Sequence, residues 1–216
     1  MADLTMAAFW AGLLAAIAYL PLSARSPGLL RSAAKTAPLV GFAAAAWLAG
    51  AHPFLTAALL LSALGDLALS RPGRRAFNYG LAAFALAHVL YTLLFTAIAG
   101  AALWSAFAEA PVFAVATIAL SLSTEIWLAP HAAHLRWPLR IYIVLITAMM
   151  LSALTLPAAF LATTLGAAAF LASDLLLSLQ VFRMAETSRF RAPASWAVWG
   201  LYIGGQALIV WGLTQA

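Results

Sequence analysis

The sequence contains no cysteine and very little charge. Only 8% of its 216 residues are Asp, Glu, Lys or Arg, whereas 66% are hydrophobic. A soluble domain carries about 25% charged residues, which help to cover its surface. The composition therefore excludes cytosolic enzymes, disulfide-stabilised secreted domains and disordered tails, and it removes thiolate nucleophiles and cysteine metal ligands. Lipid must surround most of this chain.

Eight apolar runs, separated by proline, glycine or charged clusters, are each able to cross a membrane, which takes about 20 residues per helix. They predict one all-α, polytopic integral membrane domain (residues 1–216) of eight transmembrane helices. The first run has no basic segment before it and no convincing cleavage site, so it is expected to stay as a helix. The runs are Leu4–Leu22, Thr36–Ala51, Phe54–Ser70, Phe77–Ala97, Pro111–Ala129, Ile141–Leu156, Ala158–Phe182 and Ala194–Leu213.

Every basic residue falls in an odd-numbered loop of this arrangement. Because lysine and arginine collect on the cytoplasmic side, both termini are predicted to lie outside. The net charge of +5 is thus explained by topology, and no nucleic-acid partner is expected. The basic residues are Arg25, Arg31 and Lys35 in the first loop, Arg71, Arg74 and Arg75 in the third, Arg136 and Arg140 in the fifth, and Arg183, Arg189 and Arg191 in the seventh.

Two aspartates lie inside predicted membrane helices, where an ionisable side chain costs roughly 2.5 to 3.5 kcal/mol and calls for a partner or a function. Asp66 and Asp174 stand in similar stretches, Gly65-Asp66-Leu-Ala-Leu-Ser and Ser173-Asp174-Leu-Leu-Leu-Ser, four helices apart. The match fits a 4+4 parallel repeat that would bring both carboxylates towards one cavity. It equally fits chance similarity in a low-complexity chain.

Further polar side chains accompany the aspartates. Phe84, His88 and Tyr91 share one face of the fourth helix, which also carries Asn78, and Tyr202 and Gln206 are one turn apart in the eighth. A cavity lined by helices three, four, seven and eight would satisfy them. Two structural readings stay open: each aspartate could pair with His88 or Lys35 to hold the bundle, and His88 could be a satisfied core residue. Glu125, near the end of the fifth helix, could reach interfacial water. His131 and His134 lack a nearby carboxylate, so no metal site is expected.

Several short stretches, in this order and spacing, resemble the YhhN-like lysoplasmalogenase family of membrane proteins. The resemblance extends from about Lys35 to Gln206. Where the family usually has a tyrosine followed closely by Ala-Gln, this chain has Tyr-Ile-Gly-Gly-Gln, so the local residues differ while the polar pair is kept. The stretches are Lys35-Thr-Ala-Pro38, Gly65-Asp66, Phe84 to Tyr91 through His88, Ser173-Asp174, and Tyr202 with Gln206.

The resemblance implies hydrolysis of the vinyl ether bond of a lysoplasmalogen, a lysophospholipid, to a fatty aldehyde and glycerophosphocholine or glycerophosphoethanolamine. Such a reaction needs an acid and a negative charge beside an oxocarbenium ion. The sequence leaves open which aspartate is the acid; the hypothesis is that Asp174, estimated to lie deeper in the membrane, is the acid and Asp66 the charged partner, with no cofactor. The phosphate is expected at Lys35, with Arg71 or Arg183 as helpers. The remaining expected substrate contacts are Asn78, His88, Tyr91, Glu125, Tyr202 and Gln206.

The expected location is a bacterial inner membrane, with the active site open to the cytoplasmic leaflet. Two other classes of function stay open. Intramembrane carboxylates and a parallel repeat also suit a proton-coupled transporter, although no helix is clearly broken by a proline and glycine pair. A non-catalytic lipid-binding or scaffolding protein would tolerate asparagine in place of both aspartates.

Overall fold

The computed structural model of the chain is all-helical, with 87% helix. It describes residues 2–23 and 26–215, and these contain no strand. Four short 3-10 helices, at Leu103–Ser105, Ala129–His131, Ala133–Leu135 and Ala158–Phe160, lie between α-helices. The α-helices are α1 (Ala2–Ser23), α2 (Leu29–Leu48), α3 (Pro53–Leu69), α4 (Arg74–Ala99), α5 (Ala106–Glu109), α6 (Pro111–Trp127), α7 (Arg136–Leu154), α8 (Leu161–Phe182) and α9 (Arg191–Gln215).

All eight predicted runs are helical, but two helices begin well before the predicted start. Helix α2 begins at Leu29 and α7 at Arg136. The prediction of loop positions was therefore wrong for seven basic residues that lie in helices: Arg31, Lys35, Arg74, Arg75, Arg136, Arg140 and Arg191. The reason is that long basic side chains keep their aliphatic stems on the helix while the charged ends reach polar surroundings, so a cation does not end a helix. Arg25 lies outside the described residues.

Among the residues that the structure describes, six helical segments are long and apolar enough to cross a membrane, which supports an integral membrane protein. Helix α3 is apolar but has 17 residues, and α2 is not among the six. The count of eight spans, the side of the termini and the repeat stay predictions. The six segments are Ala2–Ser23, Arg74–Ala99, Pro111–His131, Ala133–Leu154, Ala158–Phe182 and Arg191–Gln215.

The chain forms two compact units, and the first extends to Leu94 and includes the end of the chain from Val210. Within it α1, α2 and α3 pack in sequence order. Small residues allow these contacts: a Cβ added to Gly41 of α2 would lie 2.8 Å from the Cα of Gly12 in α1. Likewise, a Cβ on Gly65 of α3 would meet the ring of Phe84 in α4 at 2.6 Å. Close approach of backbones is how helices associate in lipid.

The second unit is Phe95–Ile209 and contains α5 to α8 with most of α9. Helices α6 and α7 are joined by a hydrogen bond of 2.5 Å between the hydroxyls of Ser121 and Thr147. Helix α8 packs closely on α9, because a Cβ on Gly166 would lie 2.6 Å from the carbonyl oxygen of Gly205. This close approach fixes α8, the helix that carries Asp174. The single domain expected for the whole chain stays a prediction.

Replacing Gly166 by alanine should force α8 away from α9, because the backbone carbonyl of Gly205 cannot move aside as a flexible side chain would. We expect Gly166→Ala to lower the free energy of unfolding by about 1 to 3 kcal/mol, as for other overpacked sites. The measurement is denaturant unfolding in mixed micelles.

Gly204→Ala is the matched control, since a Cβ on Gly204 has no atom within 4 Å among the described residues. It should be neutral or stabilising by up to about 1 kcal/mol through helix propensity. Equal destabilisation by both substitutions would contradict the packing explanation.

Candidate active site

The first buried carboxylate belongs to Asp66 of α3. Its Oδ1 lies 3.2 Å from Nζ of Lys35 in α2, with side-chain exposures of 3% and 17% for Asp66 and Lys35. About one helical turn away, Ser70 Oγ donates to Ser32 Oγ at 2.7 Å, so α2 and α3 are joined twice along their antiparallel contact. The cation beside Asp66 favours the ionised carboxylate, because burial is tolerable for a charge that is paired.

Helix α4 turns its predicted polar face inward within the same unit. Phe84 is buried against Gly65, the residue before Asp66, and His88 and Tyr91 are fully buried. Asn78 is exposed near the start of α4. The structure thus buries His88 and Tyr91 together with Asp66 in the first unit and leaves Asn78 at the surface.

The second carboxylate belongs to Asp174 of α8 and is held by a hydroxyl group. Tyr142 of α7 donates a hydrogen bond of 2.6 Å from its hydroxyl to Oδ2 of Asp174. Tyr142 was not among the site residues predicted from the sequence. A signal was available, since Tyr142 is the one tyrosine of the predicted sixth helix, and a carboxylate inside a membrane requires a hydrogen-bond donor.

Asp174 and Tyr142 line an open pocket among α6, α7 and α8, whose space of about 410 Å³ includes its open mouth. Most of its wall is aliphatic, which suits an apolar chain. The pocket adds α6 and α7 to the surroundings of Asp174. These two helices correspond to the fifth and sixth predicted runs, which were not part of the cavity expected from sequence. The lining residues are Leu120, Ser121, Thr124, Leu128, Leu139, Tyr142, Ile143, Ile146, Leu171, Asp174, Leu175 and Ser178.

Tyr202 and Gln206 of α9 are buried in the second unit. The ring of Tyr202 packs on Phe170 of α8, with 5.4 Å between the ring centroids. One turn further along α8, Ser173 Oγ donates to the carbonyl oxygen of Val198 at 3.0 Å. These contacts anchor on α9 the turn of α8 that leads into Asp174.

Glu125 lies at the exposed end of α6 and pairs with Arg140 of α7. Arg140 Nε and Nη2 donate to the two carboxylate oxygens at 2.9 and 2.6 Å, and its guanidinium stacks over Trp137 at 4.7 Å. Glu125 is not among the residues that line the pocket, although its neighbour Thr124 is. This geometry gives Glu125 a structural role in joining α6 to α7.

Asp66 belongs to the first compact unit and Asp174 to the second. A cavity shared by both carboxylates stays a prediction. Within residues 2–23 and 26–215, no cluster of three or more His, Asp or Glu side chains could hold a metal ion.

Comparison with known proteins identifies relatives over nearly the whole chain. The sequence model of the YhhN family matches residues 30–213. A protein of Mycobacterium bovis named lysoplasmalogenase is 32% identical over 220 residues, which covers 94% of this chain and 80% of the relative. A Mycobacterium tuberculosis protein of the same name matches with the same identity and coverage. No solved structure matches the chain.

The pairing of Lys35 with Asp66 should appear as a strong energetic coupling. Lys35→Met leaves a buried carboxylate without its cation, so we expect it to cost about 3 kcal/mol of unfolding free energy and to cost about 2 kcal/mol less when Asp66 is already asparagine. A double-mutant cycle on unfolding in micelles measures the difference.

The control cycle uses Arg140→Met and Glu125→Gln. Its coupling should be clearly weaker, because solvent screens an exposed pair. If the exposed pair couples as strongly as Lys35 and Asp66, burial does not set the strength of the inner pair.

Proposed function

Because the chain belongs to the YhhN family, we propose that it is a membrane-bound lysoplasmalogenase. In the proposed reaction, water hydrolyses the vinyl ether bond of a lysoplasmalogen. The products are a fatty aldehyde and glycerophosphocholine or glycerophosphoethanolamine. Two relatives that carry the name lysoplasmalogenase support the proposal. The substrate of this function is a lysophospholipid taken from the membrane.

The observation that carries the proposal is a carboxyl group on the wall of an apolar pocket. Asp174 is accompanied there by the hydroxyls of Tyr142, Ser121, Thr124 and Ser178, and the other lining side chains are aliphatic. A single-chain amphiphile with one reactive bond needs this combination: an apolar surface for its chain and an acid beside that bond. Polar groups of the same kind also hold the water that the reaction consumes.

The chemistry follows from the vinyl ether group. Asp174 donates a proton to the β-carbon, which gives an oxocarbenium ion and leaves an aspartate. Water adds to the carbon next to the ether oxygen and gives up a proton that restores the acid form of Asp174, so that a hemiacetal forms. When the hemiacetal collapses, its hydroxyl group loses a proton to become the aldehyde oxygen, the bond to the glycerol oxygen breaks, and that oxygen takes up a proton and leaves as an alcohol. General acid catalysis of this kind contributes about 10²- to 10⁴-fold to a rate.

The two aspartates have surroundings that suit different roles. Tyr142 donates to Oδ2 of Asp174, so in this proposal Asp174 carries its transferable proton on Oδ1, and the bond from Tyr142 strengthens once Asp174 becomes an anion. Lys35 favours an ionised Asp66, which we propose as the negative charge that balances the cation. Proton transfer and charge balance are thus divided between two carboxylates, as in glycosidases.

The proposal retains the expected topology. Eight spans with both termini outside would place all 11 basic residues on the cytoplasmic side of a bacterial inner membrane, with the active site open to that leaflet. The proposed substrate contacts also include His88 and Tyr91 of the first unit and Tyr202 and Gln206 of the second. The exposed Asn78 and Glu125 are proposed only as peripheral contacts.

Replacing either aspartate by asparagine should stop the reaction, because the amide neither donates a proton to carbon nor carries charge. We expect Asp174→Asn and Asp66→Asn each to lower aldehyde release from a lysoplasmalogen about 100-fold or more. The wild-type protein should release no aldehyde from the saturated ether lysolipid, which cannot form the oxocarbenium ion by protonation.

Glu109→Gln serves as the control, since Glu109 is an exposed carboxylate of α5. Its activity should equal that of the wild type. Near-normal turnover in either aspartate variant would remove that residue from the mechanism. A folded wild-type protein without activity would contradict the enzyme and favour transport.

Tyr142→Phe tests the hydroxyl that holds Asp174. Loss of a hydrogen bond to the developing carboxylate should lower kcat about 10- to 100-fold, while KM stays close to the wild-type value because Tyr142 acts through Asp174. Tyr79→Phe, at an exposed tyrosine of α4, should leave kcat unchanged. An unchanged kcat in Tyr142→Phe would show that this bond has no part in turnover.

A further inference from the structure

Three basic side chains converge on the turn that follows α6. Arg183, at the end of α8, places Nη1 3.4 Å from the carbonyl oxygen of Trp127 and 2.8 Å from Nε2 of His131. Arg136, at the start of α7, donates from Nε to the carbonyl oxygen of Ala129 at 3.3 Å. We call Arg136, His131 and Arg183 the basic cluster.

Among the described residues, no carboxylate forms an ion pair with the basic cluster, and Arg136 acts on the carboxylate of Glu125 only through space. Arg136 donates to the carbonyl oxygen of Ala129, and Arg183 contacts a main-chain carbonyl and the imidazole of His131. The carboxylate of Glu125, on the preceding helix, is occupied by two hydrogen bonds from Arg140. His131, Arg136 and Arg183 are all exposed. The cluster is therefore an accessible surface with excess positive charge.

The basic cluster adjoins the apolar pocket that contains Asp174. Leu128, between two residues that the cluster contacts, is buried and lines the pocket. Helix α8 connects the two regions, because Asp174 and Ser178 line the pocket and Arg183 follows at the end of the same helix. From Asp174 to Arg183 the helix rises by about 14 Å. The glycerol phosphate of a lysolipid and the extended Arg183 side chain together can cover this distance.

We propose that the basic cluster binds the phosphate group of a single-chain lysophospholipid whose ether-linked chain enters the pocket beside Asp174. The identity of the amphiphile rests on the proposed function. Arginine suits this role because its planar guanidinium forms paired hydrogen bonds with phosphate oxygens. The sequence favoured Lys35 as the cation that binds the phosphate. Its Nζ lies 3.2 Å from Oδ1 of Asp66, so a phosphate there would have to share the charge of Lys35 with that carboxylate.

Binding can be measured without turnover by using the saturated ether lysolipid 1-O-hexadecyl-glycero-3-phosphoethanolamine. Calorimetric titration in a nonionic detergent compares it with 1-O-hexadecylglycerol, which has the same chain and no phosphate. We expect the wild-type protein to bind the phosphate-bearing lipid about tenfold more tightly, as befits one charge-assisted contact. Arg183→Gln should remove most of this preference and leave the affinity for hexadecylglycerol unchanged.

Arg189→Gln is the matched control, since Arg189 is also exposed near the end of α8 and stacks on Phe190. This variant should keep the wild-type preference. If Arg183→Gln does not fold, Arg136→Gln and His131→Ala are measured in its place, with the same expected loss of preference. A wild-type protein without preference, an Arg183→Gln protein with full preference, or an equal loss in Arg189→Gln would each overturn the proposal.

Two additional measurements distinguish a lipid phosphate from free phosphate, and the phosphate site from the proposed reaction. Glycerophosphoethanolamine and inorganic phosphate are tested as competitors. Competition by inorganic phosphate as effective as that of the lysolipid would overturn a lipid site and indicate a site for free phosphate. Aldehyde release from the vinyl ether lipid is assayed separately, so that a protein that binds the saturated lipid through Arg183 but releases no aldehyde contradicts the reaction and not the phosphate site.

Discussion

Burying a carboxyl group among apolar helices is the constraint on which the rest of this structure depends. Lipid cannot solvate a charge, so each carboxyl group must obtain hydrogen bonds or a counter-ion from a neighbouring helix. Asp66 obtains Lys35 from α2, and Asp174 obtains the hydroxyl of Tyr142 from α7. Small residues elsewhere let the helices approach closely, as Gly166 and Gly205 do between α8 and α9.

Lysine and tyrosine have different effects on the carboxyl group that each contacts. A lysine holds a carboxylate in its charged form, whereas a tyrosine hydroxyl supports the acid and also the anion left when the acid gives up its proton. Helix α7, which supplies Tyr142, also forms part of the wall of the pocket around Asp174, and that wall is mainly aliphatic. The proposed protonation of the β-carbon of a vinyl ether uses both kinds of carboxyl group, and a long apolar chain uses the aliphatic wall.

Much of the architecture could be read from the sequence, because apolar runs in lipid have few alternatives to helix. Helix boundaries were harder to predict where basic residues lie in the first turns of a helix, as in α2 and α7. Hydropathy places Lys35 and Arg140 in loops, whereas their aliphatic stems favour a helix. Asp66 and Asp174 stood out by their charge. Tyr142 did not, since a neutral hydroxyl barely changes hydropathy.

Contacts between distant segments were beyond the sequence patterns. The pairing of Glu125 with Arg140, 15 residues apart on α6 and α7, depends on how those helices meet. The same holds for the approach of Arg183 to His131, which are 52 residues apart. Helical periodicity relates residues within one helix, and it contains no information about which face of the next helix they contact.

The central claim is that the vinyl ether is protonated on carbon, and deuterium labelling tests it most directly. The purified protein is given a lysoplasmalogen in deuterium oxide, and the aldehyde is reduced to its alcohol as it forms, with preformed aldehyde as the control for exchange. The account predicts one deuterium on the carbon next to the former carbonyl carbon. Aldehyde released without deuterium at that position would contradict carbon protonation.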